Sequence, residues 1–169
     1  MWKRLYPALH IKELTELKPD DLLARGVKGV LLDLDNTLVE WGKVEVPPAT
    51  VAWVEAMKKS GLKMCIVSNA LEERVKAVGE KLGIPWVSRG IKPRKTPYKK
   101  ALALLGTSPE ETATVGDQLF TDIWGGNRMA LLTVWTTPLS TREMFFTRFV
   151  RRLERIVVKQ LRKKGIISD

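Results

Sequence analysis

Cysteine and histidine are almost missing from this chain of 169 residues, with one of each, Cys65 and His10. A single cysteine excludes an internal disulfide framework, and one histidine beside it excludes a zinc site built from several such ligands. The expectation is an intracellular, reducing compartment, with both residues serving structure. Long apolar runs are missing as well. Nothing approaches the roughly 20 consecutive apolar residues of a membrane-spanning helix, and the opening MWKRLYPALHIKEL lacks the apolar stretch of a secretory leader. There is no internal repeat and no low-complexity linker. What the chain does have is apolar material, 44% of its residues, enough for the core of one compact domain.

Charge is uneven. The formal net charge is +10, yet residues 141–169 alone hold 9 Lys and Arg against 3 acids. Such a balance suits a polyanionic partner, either nucleic acid or an anionic membrane. From Met144 onward Phe145, Phe146, Phe149, Val150, Leu153, Ile156, Val157 and Leu161 recur at helical spacing, with basic residues between them. A basic amphipathic helix follows, either packed on the preceding domain or docked in a membrane interface. The expected division is therefore a domain over 1–140 and this helix over 141–169. Trp2, Leu5, Tyr6 and Leu9 could form a second membrane contact or pack inward.

Along the domain, short apolar runs alternate with helical patterns. Strands are expected at Gly29 to Leu34, Leu62 to Val67, Trp86 to Val87, Ala113 to Val115 and Leu131 to Trp135. Helices are expected after Pro47 and Pro48, along the stripe Leu71, Val75, Val78, Leu82, and from Pro97 to Leu105. Gly61, Gly83 and Gly106 stop them. This alternation predicts an α/β fold, a doubly wound parallel sheet with helices on both faces.

In such sheets ligands sit beyond the carboxyl ends of the strands. The polar residues that interrupt the apolar runs fall there: Asp33 and Asp35 in LLDLDNTLVE, Ser68 and Asn69 in CIVSNA, Lys92 in RGIKPRKTPY, and Asp117 in ATVGDQLFTD. Burying one ionised carboxylate without a partner costs several kcal/mol, so two of them at the end of a buried strand call for a polar crevice that could hold a cation. Oxygen ligands suit Mg²⁺, which takes one or two carboxylates and keeps room for a phosphate. One aspartate could attack phosphorus and its neighbour shuttle the proton, while Ser68, Asn69 and Lys92 face the phosphoryl oxygens. A calcium-binding turn is a poor fit, since the sixth position of the loop would be Leu38 instead of glycine, and a strand precedes it.

These residues resemble the four motifs of the haloacid dehalogenase (HAD) superfamily of phosphatases: Asp33-Leu-Asp35-Asn-Thr37, Ser68, Lys92, and Asp117 to Asp122 as GDxxxxD. The chain is similar in particular to the small capless class, the YqeG-like phosphatidylglycerophosphate phosphatases, whose DLDNTL, VSNA, KP and GDQLFTDI it shares. The resemblance implies a HAD-like Rossmannoid without a cap. It makes Asp33 the nucleophile and a Mg²⁺ ligand, and Asp35 the general acid and base with its backbone carbonyl on the metal. Thr37 orients the loop, Ser68 and Asn69 hold the phosphoryl group, Asp117 completes the metal site and Asp122 supports it. The third motif falls to Lys92, with Lys95 as its competitor. Asn36 stands where many members have glycine.

Substrate size follows from spacing. Only 34 residues separate Asp33 from Ser68, and 23 separate Ser68 from Lys92, so a helix and a strand use up both gaps and leave no room for a lid. An open site suits a phosphate on something large. The expected activity is removal of the terminal phosphate of phosphatidylglycerophosphate by a cytoplasmic enzyme peripheral to the inner membrane. The alternatives are a nucleic-acid 3'-phosphatase or phosphoprotein phosphatase, and a non-catalytic phosphate-binding module.

Overall fold

The computed structural model describes residues 2–141 and 145–167, without the side chains of Trp2 and residues 145–151. Six strands form one sheet: β1 (Leu9–Ile11), β2 (Gly29–Leu32), β3 (Lys63–Val67), β4 (Trp86–Val87), β5 (Thr112–Gly116) and β6 (Leu132–Thr136). Their order is β1-β6-β5-β2-β3-β4, and every pair is parallel. The chain winds outward from β2 through β3 to β4, then returns to the far side of β2 with β5. The winding therefore reverses between β2 and β5, the place where an open parallel sheet forms its crevice.

The helices are α1 (Pro19–Leu23), α2 (Pro48–Lys59), α3 (Glu72–Leu82), α4 (Lys95–Leu105), α5 (Trp124–Arg128) and α6 (Phe145–Lys163). Val30 and Leu32 of β2 and Met64 and Ile66 of β3 pack with Val54 and Met57 of α2 and Val75 and Val78 of α3. Leu31, Cys65 and Val67 pack on the opposite face, with Tyr98, Ala101 and Leu105 of α4. Both faces of the central strands are covered, which explains their unbroken apolar character. Each fully buried aliphatic side chain contributes about 2 kcal/mol. The Cys65 thiol, pushed up to about 12 by burial, is an inert member of this core.

Three sequence expectations need correction. Leu71 is not part of the α3 stripe: it precedes the helix with extended backbone and is 60% exposed. Helix α4 starts at Lys95, two residues before Pro97. The strand β1 was not foreseen; it pairs with β6 at the sheet edge, where His10 stacks on Trp135 at 4.7 Å.

Helix α6 lies on the domain through Val157 and Leu161, which join Leu5, Leu119, Ile123 and Ile167 in a third apolar cluster. Leu153 and Ile156 remain exposed, so the buried face is rotated from the apolar stripe read in the sequence. The side chains of Phe145, Phe146, Phe149 and Val150 lie outside the described residues, as do Met144 and the side chain of Trp2. No helix among the described residues is long and apolar enough to cross a membrane.

Candidate active site

Strand β2 delivers Asp33 to the crevice. Its backbone N–H still donates to Val115 of β5 at 2.9 Å, so the nucleophile candidate sits at the end of the ladder, 8% exposed. Three residues later Asn36 turns the chain with φ of 61°. Asparagine tolerates this left-handed backbone, and its side-chain oxygen accepts bonds from the Trp41 N–H and from the N–H and hydroxyl of Ser140. An asparagine here therefore turns the chain as glycine would, and also ties down two loops.

Lys92 is the hub of the site. Its Nζ lies 2.6 Å from Asp33 Oδ1 and 2.6 Å from Asp122 Oδ1, with almost no exposure on any of the three. Burial alone would lower the lysine pKa, but the Asp122 and Asp33 carboxylates outweigh it and hold the ammonium well above its usual range. Burial pushes the Asp33 carboxyl up to about 7; Lys92 opposes this, and the Asp122 and Asp35 carboxylates add to it. Lys95, the competitor for this role, is exposed at the start of α4 and is not among these contacts.

Asp117 directly follows β5, and Asp122 lies in the wide turn Leu119–Ile123 beyond it. The Trp135 indole of β6 donates to the Asp117 carbonyl at 2.9 Å. Asp122 Oδ2 accepts the Gln118 N–H at 3.2 Å, and the Tyr98 hydroxyl donates to the Thr121 carbonyl. The carboxylates of Asp33, Asp117 and Asp122 each offer an oxygen within 4.8 Å of the others, all buried. An all-oxygen donor set of this kind fits a hard divalent cation. Both oxygens of Asp122 are engaged, Oδ1 by Lys92 and Oδ2 by the Gln118 N–H, whereas Lys92 takes only Oδ1 of Asp33; Asp33 and Asp117 are the carboxylates that would carry the ion. A cation there would neutralise charge on phosphoryl oxygens.

The remaining predicted residues fall into place unequally. Ser68 is buried, its Oγ accepting the Ala70 N–H at 3.1 Å. Thr37 Oγ1 points at Asp33 Oδ2 across 3.4 Å. Asn69 holds the backbone of Lys92: its side-chain oxygen accepts the Lys92 N–H at 2.7 Å and its amide faces the Lys92 carbonyl at 3.5 Å. The Asp35 carboxylate stands outside the acidic cluster. Arg74 of α3 grips it with two bonds of 3.1 and 2.7 Å, and the Gly42 N–H donates to it at 3.0 Å. A metal role for Asp35 is thereby left to its backbone carbonyl.

Two residues of consequence escaped the sequence reading. Arg74 fixes Asp35 and reaches on to the Lys43 carbonyl at 2.9 Å. Glu154 of α6, 3% exposed, accepts the backbone N–H groups of Leu119 and Phe120 at 2.6 and 3.3 Å, at the start of the turn that carries Asp122. The available signal for Glu154 was its helical spacing with Val157 and Leu161.

The family model of the haloacid dehalogenase-like hydrolases matches residues 40–129, just over half of the chain. A probable phosphatase of Bacillus subtilis, YqeG, is 39% identical over 169 residues, covering 99% of this chain and 98% of that one. Phosphatidylglycerophosphate phosphatase 1 of Arabidopsis thaliana is 32% identical over 170 residues; the match covers 95% of this chain and 49% of that protein, so the chain spans about half its length. A crystal structure of an uncharacterised Listeria monocytogenes protein shares the fold, with a TM-score of 0.57 at 22% identity over 70% of this chain and 85% of that one. The chain belongs to the haloacid dehalogenase-like hydrolases, and within them it is a phosphatase, with a six-stranded parallel sheet and no cap domain among the described residues.

Proposed function

We propose that this phosphatase is Mg²⁺-dependent and acts on phosphatidylglycerophosphate at the inner membrane surface, releasing phosphate to leave phosphatidylglycerol. Asp33 attacks phosphorus and the bond to the glycerol oxygen breaks; Asp35, its carboxyl turned off Arg74 and protonated when substrate binds, gives its proton to the departing oxygen. Water then attacks the aspartyl-phosphate and gives its proton back to Asp35, which frees Asp33 and inorganic phosphate. Lys92 balances the charge of nucleophile and phosphoryl group, and Ser68 supplies a further donor.

The observation that carries the chemistry is the buried Asp33 held at 2.6 Å from Lys92 beside Asp117 and Asp122. The lipid is supported by the named activity of the Arabidopsis relative, by the lack of a lid, and by the exposed basic face of α6 at Arg152, Arg155, Lys159 and Arg162. The test is phosphate release with Mg²⁺ from phosphatidylglycerophosphate vesicles, a phosphopeptide and a 3'-phosphorylated oligonucleotide, with Asp33→Asn beside the wild type. Release from the lipid alone, abolished in Asp33→Asn, is expected. Release from another substrate alone would refute the lipid reading, and no release from any of the three would refute the catalytic one.

A further inference from the structure

Nine large apolar side chains stand exposed among the described residues, and five of them, Trp41, Val44, Leu71, Ile91 and Leu139, lie on loops leaving the carboxyl ends of strands. Hydrogen bonds stitch these loops around the crevice. Gly42 binds Asp35, and Lys43 accepts from Arg74. Arg89 and Gly90 donate to the carbonyls of Ala70 and Ser68, and Leu139 donates to that of Asn36. The apolar groups thus form a broken ring about the mouth that leads to Asp33. Of the other four, Leu153 and Ile156 flank the buried Glu154 on α6, while Leu23 and Leu104 lie on the helices at the amino end of the sheet.

Folding does not explain the ring. Ile91 is a β-branched residue with φ of 51°, a strained backbone for its type, and it is 59% exposed, so the chain's own core returns little packing. Strain that the core does not repay points to a use outside the chain. Its neighbours Arg89, Arg94 and Lys95 are exposed, and no acid lies within residues 88–95. The basic charge is gathered at the Ile91 tip, while exposed Glu45, Glu72 and Glu73 adjoin Val44 and Leu71. Separated apolar tips with basic charge at one of them fit a headgroup boundary better than a peptide, which would need a continuous groove.

We infer that this rim docks the enzyme on an anionic lipid bilayer, its apolar tips entering the headgroup boundary so that a phosphomonoester headgroup meets Asp33 while its acyl chains stay in the membrane. The inference rests on the lipid reading above and deepens it: the active-site mouth itself is the membrane contact. The test uses the full chain as Trp41→Gln/Leu71→Gln/Leu139→Gln, and separately as Ile91→Asn, against Leu23→Gln/Leu104→Gln as a surface control. Sedimentation with phosphatidylglycerol vesicles is measured, together with phosphate release from phosphatidylglycerophosphate in those vesicles and from soluble p-nitrophenyl phosphate. The rim variants are expected to lose about tenfold in vesicle binding and vesicle turnover, with soluble turnover unchanged and the control like wild type. Undiminished vesicle binding and turnover in the rim variants, an equal loss on the soluble ester, or an equal loss in the control would each overturn the rim. A wild type that binds vesicles through the rim yet releases no phosphate from the lipid would instead overturn the substrate and leave the docking surface standing.

Discussion

Replacing Glu154 by alanine tests how far the C-terminal helix supports the site. Its carboxylate accepts two backbone N–H groups, that of Leu119 at 2.6 Å in a buried setting and that of Phe120 at 3.3 Å in a partly buried one. A hydrogen bond to a charged group is worth about 1.5–3 kcal/mol, and a buried donor left unmade loses its full solvation. The Leu119 bond falls at the upper end. Water can reach Phe120 and recover most of the second bond, so the sum is about 3 kcal/mol. For a chain of this length that is a fall of about 9 °C in Tm. The same turn leads into Asp122, so kcat on a soluble phosphomonoester should fall with it, whereas Glu154→Gln keeps an acceptor oxygen and should retain most of both. Thermal unfolding and phosphate release are the assays. An alanine variant with the Tm and kcat of the wild type would refute the link between α6 and the turn.

Three further outcomes follow from the geometry. A β-carbon built on Gly116 falls on the Asp122 carboxylate, so Gly116→Ala must displace it from Lys92; a loss of about 2 kcal/mol in urea unfolding and a collapse of phosphate release are expected, and normal activity would contradict the packing. Lys92→Met leaves two buried carboxylates without their cation and should cost about 4 kcal/mol along with activity, whereas Lys95→Met should leave both nearly as they are. Burial raises the Asp33 pKa in the metal-free folded state from 3.8 to about 7, so the stability from that proton is present below the unfolded value and is lost as pH rises through the folded one. Asp33→Asn, neutral throughout, should therefore melt above the metal-free wild type at about pH 8 and converge on it near pH 4; a difference that does not change with pH would refute the burial argument.

The parallel sheet was legible because both faces of its central strands are covered, which writes unbroken apolar runs into the chain. Strand β1 was not legible: three half-exposed residues at a sheet edge leave no such run. The carboxylates and Lys92 could be read because each interrupts or follows an apolar run at a strand end. Their partners could not. Arg74 meets an aspartate 39 positions away and Glu154 meets N–H groups 34 and 35 positions away, and a single charge on a helix reads as solvent-facing until the tertiary contact is known. Asn69 shows the same limit in another form, since residue type announces a hydrogen-bonding group but not the direction in which it points.

The short connections between the motifs pose a physical problem that the rim resolves. Phosphoryl transfer gains from a water-poor site, where each charge interaction is stronger than in solution. A lid would supply this, but here a single helix and strand fill each gap after Asp33 and after Ser68. The fold supplies dryness from below: Asp33, Lys92, Asp117 and Asp122 are all nearly inaccessible. The open side is the mouth, and around it the chain places apolar tips instead of a cap. If the surface that bears the substrate closes the mouth, binding and water exclusion become one event. Turnover on a soluble ester should then lag behind turnover on a docked lipid through kcat as well as KM, because the soluble ester arrives without a cover. A difference confined to KM would show that the surface only gathers substrate and that the site needs no cover at all.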